Sequence, residues 1–180
     1  MGTRASTTAT LAFDNCRVPR GNLLGEPGDG LKILFASLNK SRPSVAAHAL
    51  GIARGAFEDA VAYINERKQS GRRILEFQGI QFMIADLAAE LALVESFLWQ
   101  VGGWVDAGAT DFGIEASLLK MRASDLAMRA STDAVQLLGG YGYCKDFRAE
   151  RLMRDAKITQ IWEGTNQIHR QLIGRSFLRR

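Results

Sequence analysis

The sequence has few of the residues that build metal centres and disulfide frameworks. Its 180 residues include two cysteines and two histidines. Cys16 and Cys144 lie far apart and form no CxxC pair, and the histidines have no partner at metal-ligand spacing. Long apolar runs are also missing, because acidic residues interrupt the most apolar segment, 77–105. These absences argue against a disulfide scaffold, a zinc site and a membrane-spanning helix.

The charge is only mildly basic, with 23 basic and 19 acidic residues and a net charge of +4. The basic residues are scattered, and no basic stripe with interleaved aromatics indicates a nucleic-acid partner. An anionic small ligand suits this balance better. The N-terminus lacks the apolar core of a secretory signal, so we expect any targeting information to be absent or to lie outside this chain. From the scattered charges and the missing apolar run, we expect neither a nucleic-acid nor a membrane partner.

The sequence changes character near residue 28. Residues 1–28 contain a short apolar, strand-like run at 11–13, followed by many glycine, proline and asparagine residues. From residue 29 onward, apolar residues recur at three- and four-residue steps, which indicates amphipathic helices. We therefore divide the chain into a β remnant with a linker at 1–28 and a helical domain at 29–180.

The periodicity predicts five helices, of which the first must kink or split at Pro43. Short glycine-rich connections between long helices favour antiparallel packing. The predicted fold is mainly α, an up-down-up-down four-helix bundle with an extra C-terminal helix and a short β segment at the N-terminus. The predicted helices cover about 29–69, 75–107, 112–138, 149–157 and 165–177.

The segment Ile-Trp-Glu-Gly-Thr-Asn-Gln at 161–167 is the most informative motif. A carboxylate at Glu163 sheltered by the indole of Trp162 would be desolvated, which favours a role as general base. Thr165 would cap a helix whose free N–H groups can receive an anion or a carbonyl oxygen. The local alternative is that Glu163 is a helix-start acid that stabilises the dipole.

Three other segments can be interpreted either as ligand-binding segments or as ordinary structural elements. The turn at 136–143, Gln-Leu-Leu-Gly-Gly-Tyr-Gly-Tyr, allows close approach of a ligand but also suits a plain helix end. The basic run at 66–73 suits a pyrophosphate or simply the helix dipole. The segment 39–43, Asn-Lys-Ser-Arg-Pro, combines a cation with a helix kink and could meet a ligand or be a bent surface helix.

Taken together, these segments resemble the C-terminal helical domain of the acyl-CoA dehydrogenases, preceded by the last part of the middle β-domain. The resemblance rests on order and spacing along the whole chain. It is carried by Arg4-Ala5-Ser6, 13–19, Leu24-Gly25, Arg42, 66–68, Phe77-Gln78, 136–143, 154–157 and 162–165.

The resemblance implies FAD-dependent α,β-dehydrogenation of acyl-CoA thioesters, or the catalytic-base domain of such an enzyme. Glu163 would remove the α-proton while the β-hydrogen passes as hydride to FAD. The thioester carbonyl would be polarised by the backbone N–H of the base and by a flavin hydroxyl. In some branches the base occupies the position of Ser41, and because serine cannot act as that base, Glu163 is supported.

The resemblance also implies the residues that contact cofactor and substrate. For FAD of a neighbouring subunit they are Arg67, Lys68, Gln69, Phe77, Gln78, Gln136, Leu137, Leu138, Gly139 and Gly140. For FAD of the same subunit they are Gly164, Thr165, Asn166 and Gln167. For acyl-CoA they are Asn39, Arg42, Trp162 and Gly164.

Three positions depart from the family pattern. Ser70 stands where many relatives have phenylalanine, Trp162 where many have tyrosine, and Asn39 where some have aspartate. These differences affect an adenine-side contact, the pocket wall beside the thioester and a substrate contact, respectively.

The implied partners are an acyl-CoA substrate, an electron-transfer flavoprotein as electron acceptor, and further copies in a homodimer or homotetramer. The implied location is the cytoplasm of a bacterium, which we favour, or the mitochondrial matrix of a eukaryote. Acyl-CoA oxidases and related flavin monooxygenases are alternatives within the enzyme class. Outside it, the alternative is a truncated, non-catalytic helical oligomerisation module.

Overall fold

The structure is a computed structural model that describes residues 1–178. The predicted helical domain extends to residue 180, so its last two positions lie outside the described residues. Three long helices, two shorter ones and a single-turn helix form most of the chain, which confirms the mainly α fold. They are α1 (Gly30–Glu66), α2 (Gln78–Asp106), α3 (Gly113–Leu138), α4 (Gly140–Tyr143), α5 (Ala149–Thr159) and α6 (Asn166–Ser176).

Helix α1 runs unbroken through Pro43 for 37 residues, so the alternative of a split helix is wrong. Proline removes one hydrogen bond and frees the carbonyl four residues earlier, at Asn39. Pro43 and its neighbour Arg42 are both buried, and the packing around them stabilises the helix across this position.

The core lies chiefly between α1 and α3, whose facing residues are small. Alanine on both surfaces allows the two helix axes to approach closely. Larger apolar residues of α2, including Leu87, Leu91 and Val94, complete the core. The alanines, each at most 1% exposed, are Ala46, Ala49, Ala53, Ala56 and Ala60 of α1 and Ala116, Ala123, Ala127, Ala130 and Ala134 of α3.

The expected β segment at the N-terminus is wrong in its position. Residues 11–13 are irregular, and Leu11 and Phe13 are each 79% exposed, because a strand needs a hydrogen-bonding neighbour and this segment has none within residues 1–178. The sheet that forms within residues 1–178 lies elsewhere, as a two-stranded antiparallel hairpin of β1 (Lys68–Gln69) and β2 (Arg72–Arg73). It follows α1 directly and leads through a 3-10 turn at Ile74–Glu76 into α2.

Cys16 and Cys144 are free and exposed in the structure. Within residues 1–178, no group of three or more metal-ligating side chains is placed to hold an ion. Over the same residues, no helix combines the length and the apolar character needed to cross a membrane.

Candidate active site

The turn between α5 and α6 has an unusual backbone. Glu163 and Gly164 both have positive φ, 57° and 95°. Glycine adopts this region freely, whereas a residue with a Cβ is strained there. A Cβ at position 164 would lie 3.3 Å from Nε2 of His169, so the site also favours glycine sterically. Thr165 ends the turn by accepting the Ile168 N–H at 3.3 Å, which confirms it as the N-cap of α6.

The Glu163 carboxylate meets the segment of α1 around Pro43. Ser41 Oγ donates to Glu163 Oε2 and lies 3.2 Å from the carbonyl oxygen of Leu38. The structure therefore brings the predicted base beside the predicted substrate segment at 39–42.

The neighbouring Arg42 is 5% exposed. Its Nη1 donates to Asn39 Oδ1 at 2.7 Å and to Ser117 Oγ at 3.3 Å. Burial lowers the pKa of Arg42, and the nearby Glu163 charge opposes that shift. Asn39 and Arg42 thus form one hydrogen-bonded unit beside the base.

A buried polar network lies on the other side of the turn. Lys120 of α3 is fully buried and donates to the Gly164 carbonyl at 2.7 Å and to Asn166 Oδ1 at 3.1 Å. Burial lowers its pKa to about 8, and the Asp125 carboxylate opposes that shift. The Asn166 amide nitrogen donates to Ser124 Oγ at 2.9 Å and to Asp125 Oδ1 at 2.8 Å.

This network changes the role expected for Asn166. Its side chain is 2% exposed and is engaged by α3, and its backbone N–H donates to the Gln160 carbonyl at 3.0 Å. The residue stabilises the turn and has no free donor for a cofactor, so its predicted FAD contact is not supported by this geometry. Thr165 is half-buried and Gln167 is exposed, which leaves both accessible at the start of α6.

Trp162 forms one wall of a small cavity of about 210 Å³ between residues 1–8 and α5. Its ring contacts His48 edge-on, with centroids 5.8 Å apart. Its Nε1 is shielded from solvent and has no hydrogen-bond partner among residues 1–178. The predicted substrate-side tryptophan therefore lines a cavity whose lining does not include Glu163.

A second cluster lies where the hairpin meets the end of α3. A cavity of about 510 Å³ brings together Arg67, Gln69 and the predicted turn 136–140. Two tyrosines, Tyr63 and Tyr141, also line it. Gly139 has φ of 61° and ends α3, and with Gly140 it leaves backbone exposed at the rim. Two segments far apart in sequence thus form one concave surface.

Three predicted cofactor residues lie outside the lining of this cavity. Lys68 is exposed on β1, and Gln78 is exposed at the first position of α2. Phe77 is half-buried, with the Arg72 guanidinium 4.0 Å above its ring centroid, which is a cation–π geometry. These residues remain near the hairpin without joining the main cavity.

The two clusters are far apart within one chain. Ser41, beside Glu163, and Tyr63, in the hairpin cavity, are 22 residues apart on α1, which corresponds to about 33 Å along a helix axis. The predicted base and the hairpin cavity therefore lie at well-separated positions along α1.

The buried polar face of α3 was not predicted from the sequence. Ser117, Lys120, Ser124 and Ser131 are all buried, and they recur at intervals of three, four and seven residues, which places them on one side of a helix. A lysine within such a stripe of small residues was the available signal.

Comparison with known proteins decides the family. The profile described as acyl-CoA dehydrogenase, C-terminal domain, matches residues 28–178. The chain belongs to the acyl-CoA dehydrogenase family. Its relative from Bacillus subtilis, an acyl-CoA dehydrogenase, is 48% identical over 178 residues, which are 99% of this chain and 47% of that protein.

Solved acyl-CoA dehydrogenases share the fold. The butyryl-CoA dehydrogenase of Megasphaera elsdenii matches with a TM-score of 0.89 and 42% identity, over 93% of this chain and 43% of that one. The acyl-CoA dehydrogenase of Bacillus anthracis, solved with FAD, matches with a TM-score of 0.84 and 33% identity, over 89% of this chain and 30% of that one. The chain spans about half the length of the curated relatives it matches.

Proposed function

We propose that this chain supplies the catalytic base of an FAD-dependent acyl-CoA dehydrogenase, with Glu163 as that base. The observation that carries the proposal is the contact between Glu163 and Ser41. It joins the strained turn after α5 to the 39–42 segment of α1, so that the carboxylate and the proposed acyl-CoA contacts, Asn39 and Arg42, share one site.

The reaction removes two hydrogens from adjacent carbons. The Glu163 carboxylate would accept the α-hydrogen as a proton, and the electron pair left behind would form the α,β double bond as the β-hydrogen departs with its own pair. FAD, when bound, would receive that hydride. Ser41 can donate to one carboxylate oxygen and leave the other for the proton, which orients the base.

The residues of the hairpin cavity fit a flavin adenine dinucleotide. Arg67 is an exposed cation that suits a pyrophosphate, because guanidinium binds phosphate oxygens in a planar, bidentate manner. The exposed Gly139 and Gly140 permit close backbone approach, and Tyr63 and Tyr141 offer aromatic faces. We propose that this cavity holds part of the FAD of a neighbouring subunit, and that Thr165 and Gln167 approach FAD in their own subunit.

The same resemblance supports the remaining proposals. The substrate would be an acyl-CoA thioester, the electron acceptor an electron-transfer flavoprotein, and the assembly a homodimer or homotetramer. The location would be the cytoplasm of a bacterium or the mitochondrial matrix of a eukaryote, the former favoured.

An oligomerisation module without catalysis is the second candidate. It is favoured by the exposed apolar residues of α2, since Phe82, Leu93 and Trp99 are 61%, 70% and 75% exposed. Such a surface suits contact with another copy of the chain. Because an active dehydrogenase would use the same surface, cofactor binding is what separates the two candidates.

The test is to incubate the purified chain with FAD, remove free cofactor by gel filtration and record the visible spectrum. Butyryl-CoA is then added without oxygen. Retained flavin that bleaches would support the dehydrogenase. A folded, helical chain that retains no flavin would show that this chain alone does not complete the cofactor site, and it would favour the oligomerisation module. Rapid hydrogen peroxide formation in air would indicate an oxidase instead.

A pair of arginine variants tests the cofactor cavity. Arg67→Gln should weaken FAD retention about tenfold, because a cation that pairs with phosphate is removed. Arg54→Gln removes an exposed arginine of α1 that pairs with Glu95 at 2.6 Å, and it should retain FAD normally. Equal retention by both variants would refute the assignment of Arg67.

A further inference from the structure

The turn that bears Glu163 is hydrogen-bonded by a buried lysine of α3, Lys120, which belongs to none of the sequence motifs. Lys120 lies in the first third of α3, 43 positions before the base, and its side chain is fully buried. Burying an ammonium group is unfavourable unless its donors are paired. Two of its three N–H donors are paired, with the Gly164 carbonyl at 2.7 Å and Asn166 Oδ1 at 3.1 Å.

Both acceptors belong to the turn itself. Gly164 directly follows the base, and Asn166 is the first residue of α6. The strained φ at Glu163 persists only where surrounding contacts over-determine the backbone. Hydrogen bonds reach this turn from Lys120, Met121, Ser124 and Asp125 of α3. Of these residues, Lys120 bonds the backbone carbonyl next to the base.

We propose that Lys120 is a positioning residue that fixes the Glu163–Gly164 turn and thereby places the Glu163 carboxylate beside Ser41. The inference rests on the proposed function for its catalytic consequence, while its structural part concerns this chain alone. Lys120 acts through the backbone of Gly164, and the side chain that it positions is the one that would take the proton.

The charged and titratable groups around Lys120 come from α3, the turn, α1 and α6. Asp125 of α3 and Glu163 of the turn attract its ammonium, whereas Arg42 of α1 repels it. His169 of α6 is close enough for Lys120 to disfavour its protonation. Replacing the lysine by an apolar residue would leave the Gly164 carbonyl without its donor and relax the turn.

The first measurement is amide hydrogen exchange in Lys120→Met. The Asn166 amide donates to the Gln160 carbonyl across the turn, so we expect its protection to fall about tenfold or more. The Ala53 amide in the core of α1 should keep its protection. Ser131→Ala is the matched control, because Ser131 is another buried polar residue of α3 and, within residues 1–178, its hydroxyl bonds only to carbonyls of its own helix. Unchanged Asn166 protection in a folded Lys120→Met would overturn the proposal.

A second measurement needs no variant and decides the structural part if Lys120→Met fails to fold. In the unchanged chain, labelled for NMR, the carbonyl carbon of Gly164 should change its chemical shift together with deprotonation of Lys120 near pH 8. If the chemical shift of the Gly164 carbonyl carbon does not change as Lys120 titrates, the proposed contact is overturned.

The catalytic part is tested by exchange of the α-hydrogen of butyryl-CoA with heavy water. We expect Lys120→Met to slow this exchange by about ten- to a hundredfold with little change in thioester affinity, because a displaced base loses rate more than binding. Ser131→Ala should exchange at the normal rate. If Lys120 had a purely structural role, Lys120→Met would change the exchange rate and the thioester affinity in proportion, or would change neither. Either result would overturn the positioning role.

The two failures are distinguishable. If the unchanged chain does not exchange the α-hydrogen at all, the proposed function fails. The hydrogen-exchange and titration results then still decide whether Lys120 fixes the turn.

Discussion

His169 gives the chain a specific weakness toward acid. Its side chain is fully buried, and neither ring nitrogen has a hydrogen-bond partner in good geometry among residues 1–178. Burial, followed by the charges of Lys120 and Arg42, lowers its pKa from 6.5 to about 4. The backbone at Glu163 and Gly164 opposes only part of this shift.

The direction in which stability changes with pH follows from proton binding at His169. Between the two pKa values the unfolded chain binds a proton at this histidine and the folded chain does not, so stability falls as the pH falls. At a pH below both pKa values, the lowered pKa of His169 reduces the free energy of unfolding by roughly 3 kcal/mol. By about pH 5 the reduction is already about 2 kcal/mol. At a pH above the pKa that His169 has in the unfolded chain, this loss of stability is absent.

The assay is urea unfolding followed by circular dichroism at about pH 7 and about pH 5. The unchanged chain should lose about 2 kcal/mol more between these conditions than His169→Gln, which cannot titrate. Carboxylates that also titrate cancel in this comparison. His48→Gln, at an exposed position, should keep the pH dependence of the unchanged chain. The same pH dependence in His169→Gln and in the unchanged chain would refute the reasoning.

Three further predictions concern packing and helix stability. Gly142→Ala should destabilise the chain by about 1–3 kcal/mol, because the added Cβ would lie 2.5 Å from the Val135 carbonyl oxygen. Gly51→Ala, at an exposed α1 position with nothing in residues 1–178 within 4 Å of the new Cβ, should instead stabilise it by about 0.5–1 kcal/mol. Leu119→Ala should cost about 2–5 kcal/mol, since Leu119 is fully buried between the helices. Thermal and urea unfolding check all three, and equal effects of the two glycine variants would contradict the packing argument.

The helices were predictable because local signals mark them. Apolar spacing indicated the long helices, and Gly139 marked the end of α3 through its positive φ. The course of α1 through Pro43 was not predictable from local rules, because burial of Arg42 and Pro43 against the rest of the fold decides it. The run at 11–13 looked like a strand because apolar character indicates a strand but does not supply its partner.

The candidate site was predictable only in part. Glu163 and the segment at 39–42 could be proposed from the resemblance, and the structure brings them together. The engagement of the Asn166 side chain by α3 was not predictable, because that contact joins residues more than forty positions apart. Lys120 was missed for the same reason, since most lysines are exposed and only tertiary contacts show that this one is buried.

The measurement that tests the central claim most directly is the rate of flavin bleaching by butyryl-CoA in the FAD-loaded protein and in its Glu163→Gln variant. If Glu163 is the base, the variant should bind FAD and thioester normally but bleach about a thousandfold more slowly, since general base catalysis contributes factors of that order. Glu58→Gln, at an exposed position of α1, should bleach at the normal rate. A Glu163→Gln protein that bleached at the full rate would contradict the account.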